Sequence, residues 1–216
     1  MSDAMRLYDF FRSGSAHRLR IALNLKGLRY EQVPVDLRSE QHLTDDFRRI
    51  HPQGFVPVLE TDGHRYIQSP AIIEWLEECY PEPPLLPVDA GERARVRALA
   101  AVIGCDIHPL NNRRVLEHLR HGLSVPEDSV TQWCRTWIDS GFAALEALLA
   151  GDAARGRFCF GDTPTVADIY LVPQVESARR FQVDLSRYPM IMAIAAECDT
   201  LDAFHRAKPS LQPDAT

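Results

Sequence analysis

The stretch "RLYDFFRSGSAHRLRIALNLKG", residues 6–27, decides the fold. Its opening, "RLYDFF", reads as a short apolar strand. "AHRLRIALNLKG" then carries Leu19, Ala22, Leu23 and Lys26 at helical spacing, with Gly27 as a C-terminal stop. Between strand and helix lie Arg12, Ser13, Gly14 and Ser15. From the residues alone this turn is either ordinary turn chemistry or the mouth of an active site.

Reading outward, "YEQVPV" is a second strand and "EQHLTDDFRRI" a weaker helix. "FVPVLE" and "HRYIQ" are strands joined by the turn "TDG", a hairpin signal. "SPAIIEWLEECY" is a helix, with Ser69 expected at the N-cap and Pro70 at the first position. The order βαβαββα implies a small sheet with helices packed on it. The proline-rich "PEPPLLPVDAG", residues 81–91, is a stiff linker. Beyond it the chain reads as helical. Val96, Leu99, Ile103, Ile107 and Leu110 step by three and four, and Val130, Trp133, Trp137, Leu145 and Leu148 form a similar stripe. "TPTVADIYLVPQVESARR" opens on a capping box of Thr165 and Asp168. One last amphipathic helix is expected through "PMIMAIAAECDTLDAFH". The expected domains are residues 5–85, a linker 86–91, a helical domain 92–208 and a disordered tail 209–216.

The composition suits a soluble globular protein: 216 residues, 45% hydrophobic and 25% charged. The net charge of −6 offers no global field for nucleic acid, so any anion site must be a local arginine cluster. No apolar run reaches the ~20 residues that span a bilayer, and "MSDAMRLYDF" lacks a signal-peptide core. The expectation is a cytoplasmic protein without membrane or nucleic-acid partners. Cys79, Cys105, Cys134, Cys159 and Cys198 are odd in number and scattered, which argues against a disulfide framework or a dithiol motif. Most are expected to be small buried hydrophobes.

Several residues could carry chemistry. Pro57 lies inside an apolar segment and marks either an edge strand or a cis Val56–Pro57 bond that presents Val56 to a ligand. Gln68 and Ser69 open a helix, whose free N–H groups suit a carboxylate or need only capping. Cys105 and His108 are three apart, but no further ligands accompany them, so no metal site is expected. In "HPLNNRR", Pro109 should kink the helix amid His108, two asparagines, Arg113 and Arg114. Arg179 and Arg180 fall late in a helix, where cations suit the dipole.

Together, "RSGSAHRLRIALNLKG", "QGFVPVLE", "IQSPAIIEWLEE", "CDIHPLNNRRVLEHL", "GDTPTVADIYLVP" and "VESARRFQVDL" resemble the glutathione transferases, and within them the zeta class. The resemblance covers nearly the whole chain. It implies an α/β plus all-α fold, with a thioredoxin-like N-terminal domain and an all-helical C-terminal domain. The activity it implies is glutathione-dependent cis–trans isomerisation of a maleyl keto-diacid, maleylpyruvate or maleylacetoacetate, in aromatic compound catabolism. Ser13 matches the class serine that hydrogen-bonds the glutathione sulfur, and Arg12 joins it as a catalytic residue. Val56 and cis-Pro57 match the pair that meets the tripeptide backbone, and Gln68 and Ser69 the γ-glutamyl carboxylate site. His42, His108, Asn112 and Arg113 are implied glutathione contacts. Arg12, Arg114 and Arg180 are implied to hold the carboxylates of a small dicarboxylate substrate.

One departure stands out. Ser15 occupies the place where the class keeps a cysteine, and is expected either to cap the helix or to touch the cofactor. A homodimer is also implied. Two other readings remain: a general transferase conjugating electrophiles, and a non-catalytic binding module on the same fold.

Overall fold

The computed structural model describes residues 5–215. β1 (Met5–Asp9) leads into α1 (Gly14–Leu25), which returns the chain to β2 (Tyr30–Pro34), parallel to β1 with Leu7 opposite Gln32. After α2 (Asp45–Arg48), β3 (Val58–Thr61) lies antiparallel to β1 with Leu7 opposite Leu59, and β4 (His64–Ile67) forms a hairpin with β3. α3 (Ser69–Cys79) follows. Among the described residues the sheet order is β2-β1-β3-β4. This is the expected βαβαββα arrangement. Leu7, Leu19, Leu23, Leu59, Ile72 and Leu76 are fully buried between sheet and helices.

Four local expectations are corrected. β3 begins at Val58, after Pro57, and sits inside the sheet, so the edge-strand reading fails: the missing N–H falls outside the ladder, and Val56–Pro57 is cis. Gln68, not Ser69, caps α3; its carbonyl accepts the Ile72 N–H at 3.0 Å, making Ser69 the first helical residue. Ser13, not Ser15, caps α1, its Oγ accepting the Ala16 N–H at 3.3 Å. The weak helix over "EQHLTDDFRRI" is two short turns, because Thr44 is extended and caps α2 by accepting the Phe47 N–H.

The buried polar centre of this unit is Arg20, whose side chain is fully buried. Its Nη1 donates to both carboxylate oxygens of Asp9, at 2.8 and 2.7 Å. Nη2 donates to the Phe11 carbonyl at 2.9 Å and Nε to the Ala207 carbonyl at 3.0 Å. At the far end of α1, the buried Lys26 ammonium donates to Glu77 at 2.5 Å and to the Pro83 carbonyl at 2.7 Å. Burial, with the charges of Arg20 and Arg18, holds His17 neutral well below the usual histidine range.

The other unit holds the helices from α4 (Ala90–Ala101) to α8 (Pro189–Asp199). α4 gives way to a π-helical turn, Val102–Ile107, and a 3₁₀ turn, His108–Asn111, before α5 (Arg113–Glu117). The expected kink is thus a full break, at the proline that cannot donate. Trp133 Nε1 donates to the Leu110 carbonyl that the break leaves open, at 2.8 Å. α6 (Glu127–Gly151) buries Val130, Cys134, Ile138, Phe142, Leu145 and Leu149. Leu148, expected on that face, is half exposed, because the stripe runs on from Leu145 by four. α7 (Val166–Arg180) opens on the expected capping box: the Thr165 N–H and hydroxyl both donate to the Asp168 carboxylate, at 2.8 and 2.9 Å.

The C-terminal expectation also changes. The last helix divides at Thr200 and Leu201, and the described residues from Thr200 onward, with α9 (Asp202–Ala207), belong to the first unit rather than to a domain 92–208. Asn24 Nδ2 donates to the Ala203 carbonyl at 2.9 Å, and Phe204 and Ala207 are buried. Residues 209–215 are ordered, with Gln212 buried; Thr216 lies outside the described residues. No helix among the described residues is long and apolar enough to cross a membrane.

Asp9→Asn leaves Arg20 buried beside a neutral partner. Urea unfolding should show a loss of about 3 kcal/mol or more; a loss under about 1 kcal/mol would mean that the pair is not the anchor of this unit.

Candidate active site

The turn between β1 and α1 is pinned from several sides. β1 ends at Asp9, so the next peptide groups need partners outside the sheet. The Phe10 carbonyl accepts the Ser13 N–H at 2.9 Å, which closes the turn and starts α1. Ser13 Oγ lies 3.2 Å from Ser15 Oγ, and Ser15 Oγ donates to the Val56 carbonyl at 3.2 Å. Two hydroxyls thereby link the start of α1 to the loop before β3. The N–H of Val56, a buried residue, has no acceptor among the described residues, so this segment keeps a free donor.

Arg12 is exposed, with its guanidinium 5.4 Å from the Phe11 ring centre and 6.0 Å from that of Phe10. Among the described residues it has no carboxylate partner. Arg38, which the sequence reading missed, lies over the same two rings at 5.7 and 5.8 Å, and its Nε donates to Asp36 at 3.0 Å. A lone arginine in a loop carries no sequence signal for this placement.

Gln68 has φ 68° and ψ 109°, a left-handed backbone that costs a non-glycine residue roughly 1–3 kcal/mol. Such strain concentrates at ligand sites. Its side-chain amide donates to Gln53 Oε1 at 2.8 Å, a partner the sequence reading did not name as a site residue. Ser69 is buried at the start of α3, where helix N–H groups point outward. His42 is buried in the loop before α2. Gly54, at φ +65°, lets the chain pass close to it: a Cβ there would meet the His42 carbonyl at 2.7 Å.

In the helical unit, Asn112 caps α5, its Oδ1 accepting the Arg114 N–H at 3.2 Å. Arg113 and Arg114 are the first two residues of the five-residue α5. His108 starts the 3₁₀ turn. The neighbouring Asn111 was passed over in the sequence; its amide is buried with neither Nδ2 nor Oδ1 hydrogen-bonded. Arg179 pairs with Glu176, whereas Arg180 lies 4.8 Å over the Phe181 ring at the end of α7. Arg12, Ser13, Ser15, His42, Val56, Pro57, Gln68 and Ser69 belong to the first unit; His108, Asn112, Arg113, Arg114 and Arg180 belong to the second.

The cysteines are all free. Cys134, Cys159 and Cys198 are buried; burial pushes the Cys134 thiol up to about 11 and raises the other two further. These three stay protonated and inert at neutral pH. Three of the five are thus buried, as expected for most of the set, while Cys79 and Cys105 are exposed. No group of three or more metal-ligating side chains occurs among the described residues.

Residues 7–84 match the N-terminal domain model of glutathione S-transferase, and residues 127–206 its C-terminal domain model. The chain is 63% identical to maleylpyruvate isomerase of Ralstonia sp., over 98% of this chain and 100% of that protein. A holo structure described as maleyl pyruvate isomerase, a bacterial zeta-class glutathione S-transferase, superposes with a TM-score of 0.96 at 62% identity, covering 98% of this chain and 100% of that one. Maleylacetoacetate isomerase from Methylobacterium extorquens, solved with bound malonate and GSH, superposes with a TM-score of 0.95 at 40% identity, covering 98% and 99% of the two chains. With both family domains and near full-length relatives matched, the chain belongs to the glutathione S-transferase family, in its zeta class.

Proposed function

We propose that this chain is a glutathione-dependent cis–trans isomerase of a maleyl keto-diacid, maleylpyruvate or maleylacetoacetate, acting in aromatic compound catabolism. The observation that carries the reading is the 63% identity, over 98% of the chain, to the isomerase of Ralstonia sp.. A cytoplasmic homodimer belongs to the same proposal, supported by the family and by five free cysteines.

The donor set of the first unit fits glutathione, a molecule with a thiol, two peptide groups and two carboxylates. The free Val56 N–H and the adjacent carbonyl match a peptide edge. Gln68, Ser69 and the start of α3 suit the γ-glutamyl carboxylate. Ser13, with its hydroxyl at the helix start, suits the sulfur. His42, Pro57, His108, Asn112 and Arg113 are further proposed contacts, and Ser15 acts through Ser13 and Val56. Bound glutathione supplies a sulfur nucleophile that adds reversibly to the conjugated double bond, so that the carbon axis can turn before the sulfur leaves.

What the protein does follows from counting protons. Ser15 has one hydroxyl proton, and the Val56 carbonyl takes it. In the Ser13–Ser15 contact, Ser13 is therefore the donor. The Ala16 N–H already donates to Ser13 Oγ, which leaves that hydroxyl to act outward as a donor. A sulfur anion beside Ser13 takes over the hydrogen bond, and the N-terminal end of α1 favours its charge. Arg12, without a carboxylate partner among the described residues, is available for a bidentate bond to a substrate carboxylate. Arg114 and Arg180 are proposed for the remaining substrate charge. A cation of this set also stabilises negative charge developing on the carbonyl side. No strong general base is required.

Isomerisation of maleylpyruvate and maleylacetoacetate should fall to background when glutathione is omitted; equal rates with and without it would sink the mechanism. Ser13→Ala should lower kcat about 10²-fold and return the thiol of bound glutathione toward its ordinary pKa of about 8.5. Unchanged kcat and thiol pKa would remove Ser13 from the role.

A further inference from the structure

We propose that segment 209–215 is a positioning element for the catalytic turn, with Asp214 as its contact. This rests on the role given to Ser13 and Arg12 above. The Phe11 N–H donates to Asp214 Oδ2 at 3.0 Å, across 203 residues of sequence. Phe11 immediately precedes Arg12 and Ser13. Its N–H lies past the end of β1, so the sheet supplies no acceptor, and Phe11 itself is buried. A buried N–H without a partner is costly, and a carboxylate is a strong acceptor for it. On the other side of the same residue, Arg20 Nη2 holds the Phe11 carbonyl. Both polar groups of the Phe11 backbone are therefore clamped, one by the buried ion pair and one by Asp214.

The segment is itself tied down. Gln212 Nε2 donates to the Arg206 and Lys208 carbonyls at 2.8 and 2.6 Å, and Gln212 Oε1 accepts from Gln32 Nε2 at 2.8 Å. Gln32 Nε2 also donates to Asp9 Oδ2 at 3.1 Å, which joins the segment to the Arg20–Asp9 pair. Ala215 packs against the cluster that contains Phe10, Phe11 and Val56. The Phe10 and Phe11 rings are the shelf under the Arg12 guanidinium, and the Phe10 carbonyl holds the Ser13 N–H. A shift of Phe11 thus moves the arginine shelf and the serine cap together. Asp214 touches neither ligand; it acts through the backbone.

The test uses the full chain with Asp214→Ala, which removes the acceptor, and Asp214→Asn, which keeps a carbonyl oxygen there. The readouts are kcat, KM for glutathione, melting temperature and the pKa of the bound glutathione thiol, read from thiolate absorbance without substrate. Asp214→Ala should lower kcat/KM about tenfold, since small displacements at a reacting centre are expensive. It should also raise the thiol pKa, and Asp214→Asn should restore both. The inference is overturned if Asp214→Ala keeps wild-type kinetics and thiol pKa, whatever its melting temperature, or if Asn fails as badly as Ala. The thiol pKa does not depend on isomerisation, so a wild-type protein that binds glutathione but does not isomerise would overturn the proposed function separately.

Discussion

The first unit is organised around one buried charge. Arg20 has no exposed side-chain surface, and an unpaired guanidinium there could not be tolerated. Its bonds to Asp9, Phe11 and Ala207 fix β1, the turn after it, and α9 on one group. Gln32 extends the same network to β2 by bonding Asp9. A buried pair of this kind adds little net stability over a well-packed apolar substitute, but breaking it is severe. Its place in the fold ties Asp9, at the end of β1, and Phe11, just before Arg12 and Ser13, to one side chain.

The turn after β1 determines what chemistry is available. The chain offers hydroxyls, arginines and backbone groups at the start of α1, and its buried thiols are held protonated. The turn itself, residues 10–16, holds no cysteine, and a glutathione-dependent enzyme takes its nucleophilic sulfur from the cofactor. The Ser15 hydroxyl bridges Ser13 and Val56. It is a small polar bridge between the helix start and the loop that leads into β3.

The parts of this fold legible in the sequence are those written in local chemistry. The "TDG" hairpin, the Thr165–Asp168 box and the break at Pro109 each depend on a few adjacent residues. The proposal of Ser13 as a site residue rests on several motifs taken together. What was not legible depends on distant partners. Arg20 reads as one more polar position in "AHRLRIAL"; only Asp9, Phe11 and Ala207 make it a core residue. The tail looked disordered by composition, yet Gln212 and Asp214 find partners near the other end of the chain. Ser69 had the usual capping chemistry, but the strained Gln68 took the cap, because its carbonyl, not its side chain, receives the helix. Pro57 misled for a similar reason: its effect depends on whether the strand starts before or after it.

The central claim is that the sulfur is borrowed and returned. It is tested most directly by incubating the enzyme with maleylpyruvate in large excess over glutathione and counting product by mass spectrometry and ultraviolet absorbance. The account predicts complete conversion to the trans isomer, many turnovers per glutathione molecule, and all of the glutathione recovered free. Conversion that stops at one substrate per glutathione, with the thioether accumulating, would contradict it and make the enzyme a conjugating transferase.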